Sequence, residues 1–224
     1  MSVNISYQKL NPSSQVNLFR GLISLKVGNQ VFTCQLPLNE EIITSDVIRP
    51  LYLKGLHLLA VATHKTVFIL TELPAIDTFD ADNSTLLLLK RFSRPGNIQG
   101  LRWLGGPSSQ ALLLVEQADQ EASAVGVTVI DDDWQIHEGL LGSVGDVQSL
   151  DGGAVVEREF TLLVNSEEHS CIYRVALDKQ QAQTLVRLEG NGTSLQFQGF
   201  FALAASRGPE LFVSTEDGWI QVHQ

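Results

Sequence analysis

Acids come first among the residues that could do chemistry. Two carboxyl groups facing each other across a cleft can cleave a glycosidic bond, one as acid and one as base or nucleophile. Asp46, Asp146 and Asp151 lie at the ends of apolar segments and are the candidates for such a pair. Asp131-Asp132-Asp133 follows an apolar run and is expected to be a solvated outer loop. Asp77 to Asn83 offers oxygen ligands that a hard cation could use, but it lacks the bend glycine and the distal glutamate of a calcium loop. His57, His64, His137, His169 and His223 never fall at HxH or HxxxH spacing, so no metal pair is encoded locally. His64 and His169 are expected at exposed turns. Neither a G-x-S-x-G nucleophile elbow nor a phosphate-binding G-x-x-x-x-G-K-[ST] loop occurs. No cofactor is implied, and the chain is expected not to be an enzyme.

One cluster runs against the overall charge. The chain carries 25 acidic and 15 basic residues, a formal net charge of -10. Such a chain repels phosphate backbones, which argues against nucleic acid as a partner. Yet Lys90, Arg91, Arg94 and Arg102 fall in one short window with Phe92 and Trp103. Arginine beside aromatics is enriched at binding hot spots. Lys90, Arg91, Arg94, Arg102 and Trp103 are therefore the expected partner-binding residues, suited to an acidic segment of another protein. No small molecule is required by this reading.

The elements that must position these residues are strands. Hydrophobic residues at 44% and charged residues at 18% exclude disorder for the bulk of the chain. The apolar runs are too short to span a bilayer, and residues 1–10 carry no secretory signal pattern. A membrane role is not expected, and the expected location is cytoplasmic or otherwise intracellular. Cys34 and Cys171 are too few and too far apart for a disulfide framework or a CxxC site, and two unlinked thiols are expected. No dozen-residue stretch repeats at helical spacing. Short runs of Leu, Val, Ile and Phe alternate with Gly, Pro, Asn, Asp and Ser, so the fold is expected to be all-β.

A hairpin recurs five times: Leu22 to Leu36, Leu56 to Leu70, Ala111 to Ile130, Phe160 to Val175 and Glu210 to Val222. Each is an apolar strand, a polar connection and a second strand, and in most copies the first strand ends in small or hydroxyl residues. The last, Val213-Ser214-Thr215-Glu216-Asp217-Gly218-Trp219-Ile220-Gln221-Val222, resembles the S-x-D-G-x-I-x-V hairpin of WD40 repeats. Its Asp-Gly turn suits the positive φ of a primed two-residue turn. No Gly-His opens a repeat and no Trp-Asp closes one. The resemblance implies a β-propeller of about five four-stranded blades, each near the ~40–45 residues of such repeats. The whole chain would be one domain. Its blades are expected at roughly 18–45, 46–95, 96–143, 144–193 and 194–224, the last completed by a strand from 3–10 that closes the ring. An open propeller fragment and a β-sandwich are the alternatives. The resemblance further implies a non-catalytic scaffold, a subunit of a larger complex that binds partners through its rim and loops. The competing function is carbohydrate or small-molecule binding or hydrolysis in a central channel.

Overall fold

A computed structural model describes residues 4–6, 14–19, 21–36, 41–50, 56–73, 85–105, 110–117, 125–141, 147–156, 159–166, 169–189, 196–197, 203–204, 208–209, 211–215 and 218–222. All regular structure among them is β. After β1 (Asn4–Ser6) comes a three-stranded meander, β2 (Ser14–Phe19), β3 (Leu22–Val27) and β4 (Gln30–Gln35). Three four-stranded meanders follow. They are β5 (Thr44–Ile48), β6 (Leu58–Ala62), β7 (Thr66–Leu73) and β8 (Thr85–Ser93); β9 (Asn97–Gly105), β10 (Gln110–Gln117), β11 (Val125–Ile130) and β12 (Ile136–His137); and β13 (Val147–Val156), β14 (Glu159–Ser166), β15 (His169–Ala176) and β16 (Gln181–Glu189). The remainder is β17 (Gln196–Phe197), a small pair β18 (Leu203–Ala204) and β19 (Gly208–Pro209), then β20 (Leu211–Thr215) and β21 (Gly218–Val222). Here β20 pairs with both β17 and β21.

Each four-stranded meander is antiparallel from first to last strand, and the first strands are the inner ones. β5 packs on β9, β9 on β13, and β13 on β17. Successive sheets with their first strands together and their last strands outermost are the blades of a propeller-like array. The five units begin at Ser14, Thr44, Asn97, Val147 and Gln196, the first of them ahead of the expected start at 18. A single parallel bridge, Thr33 to Thr85, joins the outer strands of the first two blades into one seven-stranded sheet.

The N-terminal strand departs from expectation. Its described residues join the fourth blade and not the fifth: β1 lies parallel to β13, with Asn4 opposite Ser149, Ile5 opposite Leu150 and Ser6 opposite Asp151. The physical reason is that β13, as the first strand of its meander, has an open inner edge. A three-residue strand satisfies part of that edge.

The cores lie between blades, not within them. Between the first and second blades Ile23, Leu25 and Phe32 meet Leu59, Val61, Phe68 and Leu70. Between the second and third, Leu58, Ala60, Val67 and Ile69 meet Trp103, Leu112, Leu114 and Ile130. Between the third and fourth, Leu113, Val115, Val127 and Val129 meet Phe160, Leu162, Val164 and Val175. Residues of one strand therefore serve two cores in turn. In β6, Leu58 and Ala60 face one neighbour while Leu59 and Val61 face the other. A strand buried on both faces has no reason to alternate, which explains the continuous runs Leu-Leu-Ala-Val-Ala and Ala-Leu-Leu-Leu-Val.

Strands β3 and β4 behave differently. Ile23, Leu25 and Phe32 are buried, whereas Leu22, Lys26, Val31, Thr33 and Gln35 are exposed. Among the described residues, the first blade thus has a packed neighbour on one face only. The two-residue turn at Gly28-Asn29 has a left-handed glycine, with Gly28 at φ +58.

The hydroxyl residues that end the first hairpin strands have a structural job. The Thr63 hydroxyl accepts the Thr66 N–H at 3.1 Å, and the Ser166 hydroxyl accepts the His169 N–H at 3.2 Å. Each holds a tight turn closed with a side chain three residues earlier.

Phe160 is among the largest fully buried side chains and fills the joint between the third and fourth blades. Phe160→Ala is expected to cost about 3–5 kcal/mol, read as a lower denaturant midpoint. A variant within about 1 kcal/mol of wild type would show that this joint is not a packed core.

Candidate functional site

The cationic window lies where the second blade hands the chain to the third. The β6–β7 turn grips the connector: Arg94 N–H donates to Lys65 O at 2.8 Å, Ile98 N–H to His64 O at 2.8 Å, and the Lys65 ammonium to Pro95 O at 2.7 Å. Gly96 packs closely against the end of β10: a Cβ there would lie 3.0 Å from Gln117 O and 3.2 Å from the Glu116 Cβ.

The five expected partner-binding residues do not form one surface. The Arg94 side chain is only 4% exposed. Its Nε donates to Glu116 Oε1 at 2.9 Å and its Nη2 to Glu116 Oε2 at 2.8 Å, with further bonds to the Thr128 hydroxyl (3.3 Å) and Glu138 Oε1 (2.6 Å). Burial alone would lower the Arg94 pKa. The hydrogen bonds and charges of Glu116, then Glu138, more than offset this and hold it above its ordinary value. The Trp103 side chain is buried in the second core, and its backbone N–H donates to Asp46 Oδ2 at 2.9 Å. The Arg102 Nε stands 3.6 Å from that same oxygen. Lys90 and Arg91 alone of the five are exposed, side by side on β8, with the Arg91 guanidinium 5.6 Å from the Phe68 ring centre.

The sequence reading missed Glu116 and Glu138. A signal was present: Glu116 follows the apolar run Ala111 to Val115 in a buried strand, and a carboxylate there needs a cationic partner.

Several of the other candidates for chemistry are engaged in structure. Asp46 is buried on β5 and ties that inner strand to β9. Asp146 and the Asp77–Asn83 loop lie outside the described residues, as does His223, while Asp151 falls within β13. Asp131 is buried, not solvated: its Oδ2 lies 2.8 Å from His137 Nε2 and its Oδ1 accepts the Gln135 N–H at 2.8 Å. It braces the turn from β11 to β12, where Trp134 adopts φ 63. Asp132 and Asp133 stand close enough to share a cation with it, but both Asp131 oxygens already have partners. His57 Nδ1 meets Glu72 Oε1 at 2.8 Å in a buried pair that ties β7 to the start of β6. His64 is exposed and His169 half-buried. A shallow cleft of about 360 Å³ lies on the fourth blade, lined by Glu159, Arg174, Lys179 and Gln183. Cys34 and Cys171 are both free thiols.

Comparison with known proteins finds no matching family model and no curated relative. Among solved structures, the chain is similar to the WD40 domain of SCAP from fission yeast, at 11% identity and TM-score 0.49, over 96% of this chain and 50% of that one. The Nup170 N-terminal domain from a Chaetomium thermophilum Nup170–Nup53 complex matches at 12% and 0.47, over 93% and 35%. A Synechocystis apocarotenoid oxygenase variant matches at 8% and 0.47, over 93% and 57%. The chain thus spans between about a third and somewhat over half of the length of each.

The Arg94 cluster makes a sharp structural prediction. Glu116→Gln is expected to lose about 3–5 kcal/mol of stability, because it leaves a buried guanidinium without its bidentate carboxylate. Glu138→Gln removes a carboxylate that is 59% exposed and is expected to cost about 0–1 kcal/mol. Chemical unfolding of both variants checks this, and equal losses would contradict the assignment.

Proposed function

We propose that this protein is a non-catalytic scaffold that binds other proteins through the rim and loops of its blades, as a subunit of a larger complex. The observation that carries the reading is a contrast in side-chain use. The buried polar groups that could do chemistry, among them Asp46, His57, Glu72, Arg94, Glu116 and Asp131, are paired with one another or with backbone inside and between blades. Exposed beside ordinary polar surface is a run of apolar and cationic side chains on β8, Leu87, Leu88 and Leu89 followed by Lys90 and Arg91. Loops and edges on a rigid scaffold are free to carry recognition. Neither nucleic acid nor a bilayer is part of this reading, and among the described residues no helix is long and apolar enough to cross a membrane. The cellular location in this reading is intracellular.

The test is purification of the protein at native abundance, followed by size and mass analysis of what stays bound. A protein partner at fixed stoichiometry, which rebinds when the two purified components are mixed, is the expected result. A protein that runs alone but gains thermal stability from a carbohydrate or small-molecule panel would overturn the scaffold reading in favour of a channel ligand.

A further inference from the structure

The last strand of the second blade is an unusual surface. β8 runs Thr-Leu-Leu-Leu-Leu-Lys-Arg-Phe-Ser, and Leu87, Leu88 and Leu89 are 46%, 41% and 39% exposed. Next to its start, Leu73 at the end of β7 is 48% exposed. Three consecutive exposed leucines on an outermost strand are what a folded protein normally avoids. The comparable strand of the fourth blade, β16, begins Gln-Ala-Gln-Thr instead, and that of the third, β12, has two residues.

The edge of β8 is open as well as apolar. Its inner side pairs with β7 along the full strand, but its outer side has one bridge, Thr85 to Thr33. From Leu86 to Ser93 no strand lies on that side among the described residues. Opposite Ile69 and Leu70 the register slips, so Leu89 is the extra residue of a bulge between Leu88 and Lys90. A bulge turns the side chains beside it, and this one separates a leucine half from a cationic half while pairing with β7 continues on both sides. Lys90 and Arg91 are exposed and make no ion pair among the described residues.

We infer that the outer edge of β8 is a strand-addition site for an extended segment of another protein in which apolar residues are followed or interrupted by Asp or Glu. This rests on the scaffold reading and names its partner chemistry. Strand addition satisfies the unpaired backbone of an edge, while side chains beside it set specificity. The leucines supply apolar burial, and Lys90 with Arg91 selects acids. The net charge of the chain does not cancel this preference, because screening over about 8 Å at physiological salt leaves local charges in control. A second copy of this chain is the disfavoured occupant. Pairing two β8 edges gathers two Lys90-Arg91 pairs in one small area, a like-charge cost that works against self-association.

The probe is a display library of random peptides panned on the whole protein, with the winning peptides then synthesised. Enriched sequences are expected to mix apolar and acidic residues and to lose about tenfold in affinity against Lys90→Glu/Arg91→Glu. They are also expected to slow amide exchange specifically between Leu87 and Phe92, which a loosely bound surface peptide would not do. Circular dichroism establishes that the variant keeps its fold, both positions being exposed. Peptides that bind the variant equally, that protect another strand, or that fail to enrich at all would overturn the inference. So would a dimer that forms through β8. A native partner that still binds the variant at full strength would sink the strand site while leaving the scaffold reading intact.

Discussion

Burial of the middle strands on both faces is the constraint on which the rest of this structure depends. β6 and β10 each send successive side chains to opposite neighbours, so neither has a face to give to water. A blade with such a strand exposes apolar surface on each side unless a blade stands on both. Repeating arrays of this kind gain their stability from interfaces between neighbours as much as from the units. The polar contacts follow the same logic. At a joint between two apolar faces, a polar group must bring its own partner. Asp46 does so from β5 to the backbone of β9, and Arg94 does so between the second and third blades through Glu116, Thr128 and Glu138.

The first blade shows what happens where the constraint ends. Its strands alternate buried and exposed residues, and its sequence alternates accordingly in Leu-Ile-Ser-Leu-Lys-Val. An observer of the sequence alone could see both patterns, and the difference between them distinguishes a blade with one neighbour from a blade with two. Strand content and hairpin positions were legible for the same reason, since strand period and turn residues are local properties. The closing hydroxyls of the hairpins, Thr63 and Ser166, are local too.

What could not be read is what depends on distant partners. Arg94 looks like Arg91 in the sequence, yet the carboxylate that captures it stands 22 positions away and another 44 away. Three of the five residues chosen as a binding patch belong to the joint for this reason. Asp131 looks as solvated in the sequence as its two acidic neighbours, but His137 reaches back to it across the turn. The placement of β1 was equally hidden, because Asn4-Ile5-Ser6 is too short to carry a pattern that says which edge it will join. With Arg94, Arg102 and Trp103 held in the joint, Lys90, Arg91 and the leucines that precede them are the members of this window exposed on β8.

If neighbouring blades stabilise one another through shared strands, they must come apart together. Native-state amide hydrogen exchange across a denaturant series measures this directly. The account predicts that the most protected amides of β6, β10 and β14 converge on one common unfolding free energy. Amides of β6 that open at a distinctly lower free energy than those of β10 and β14, with the latter pair unaffected, would show that each blade stands alone and would contradict it.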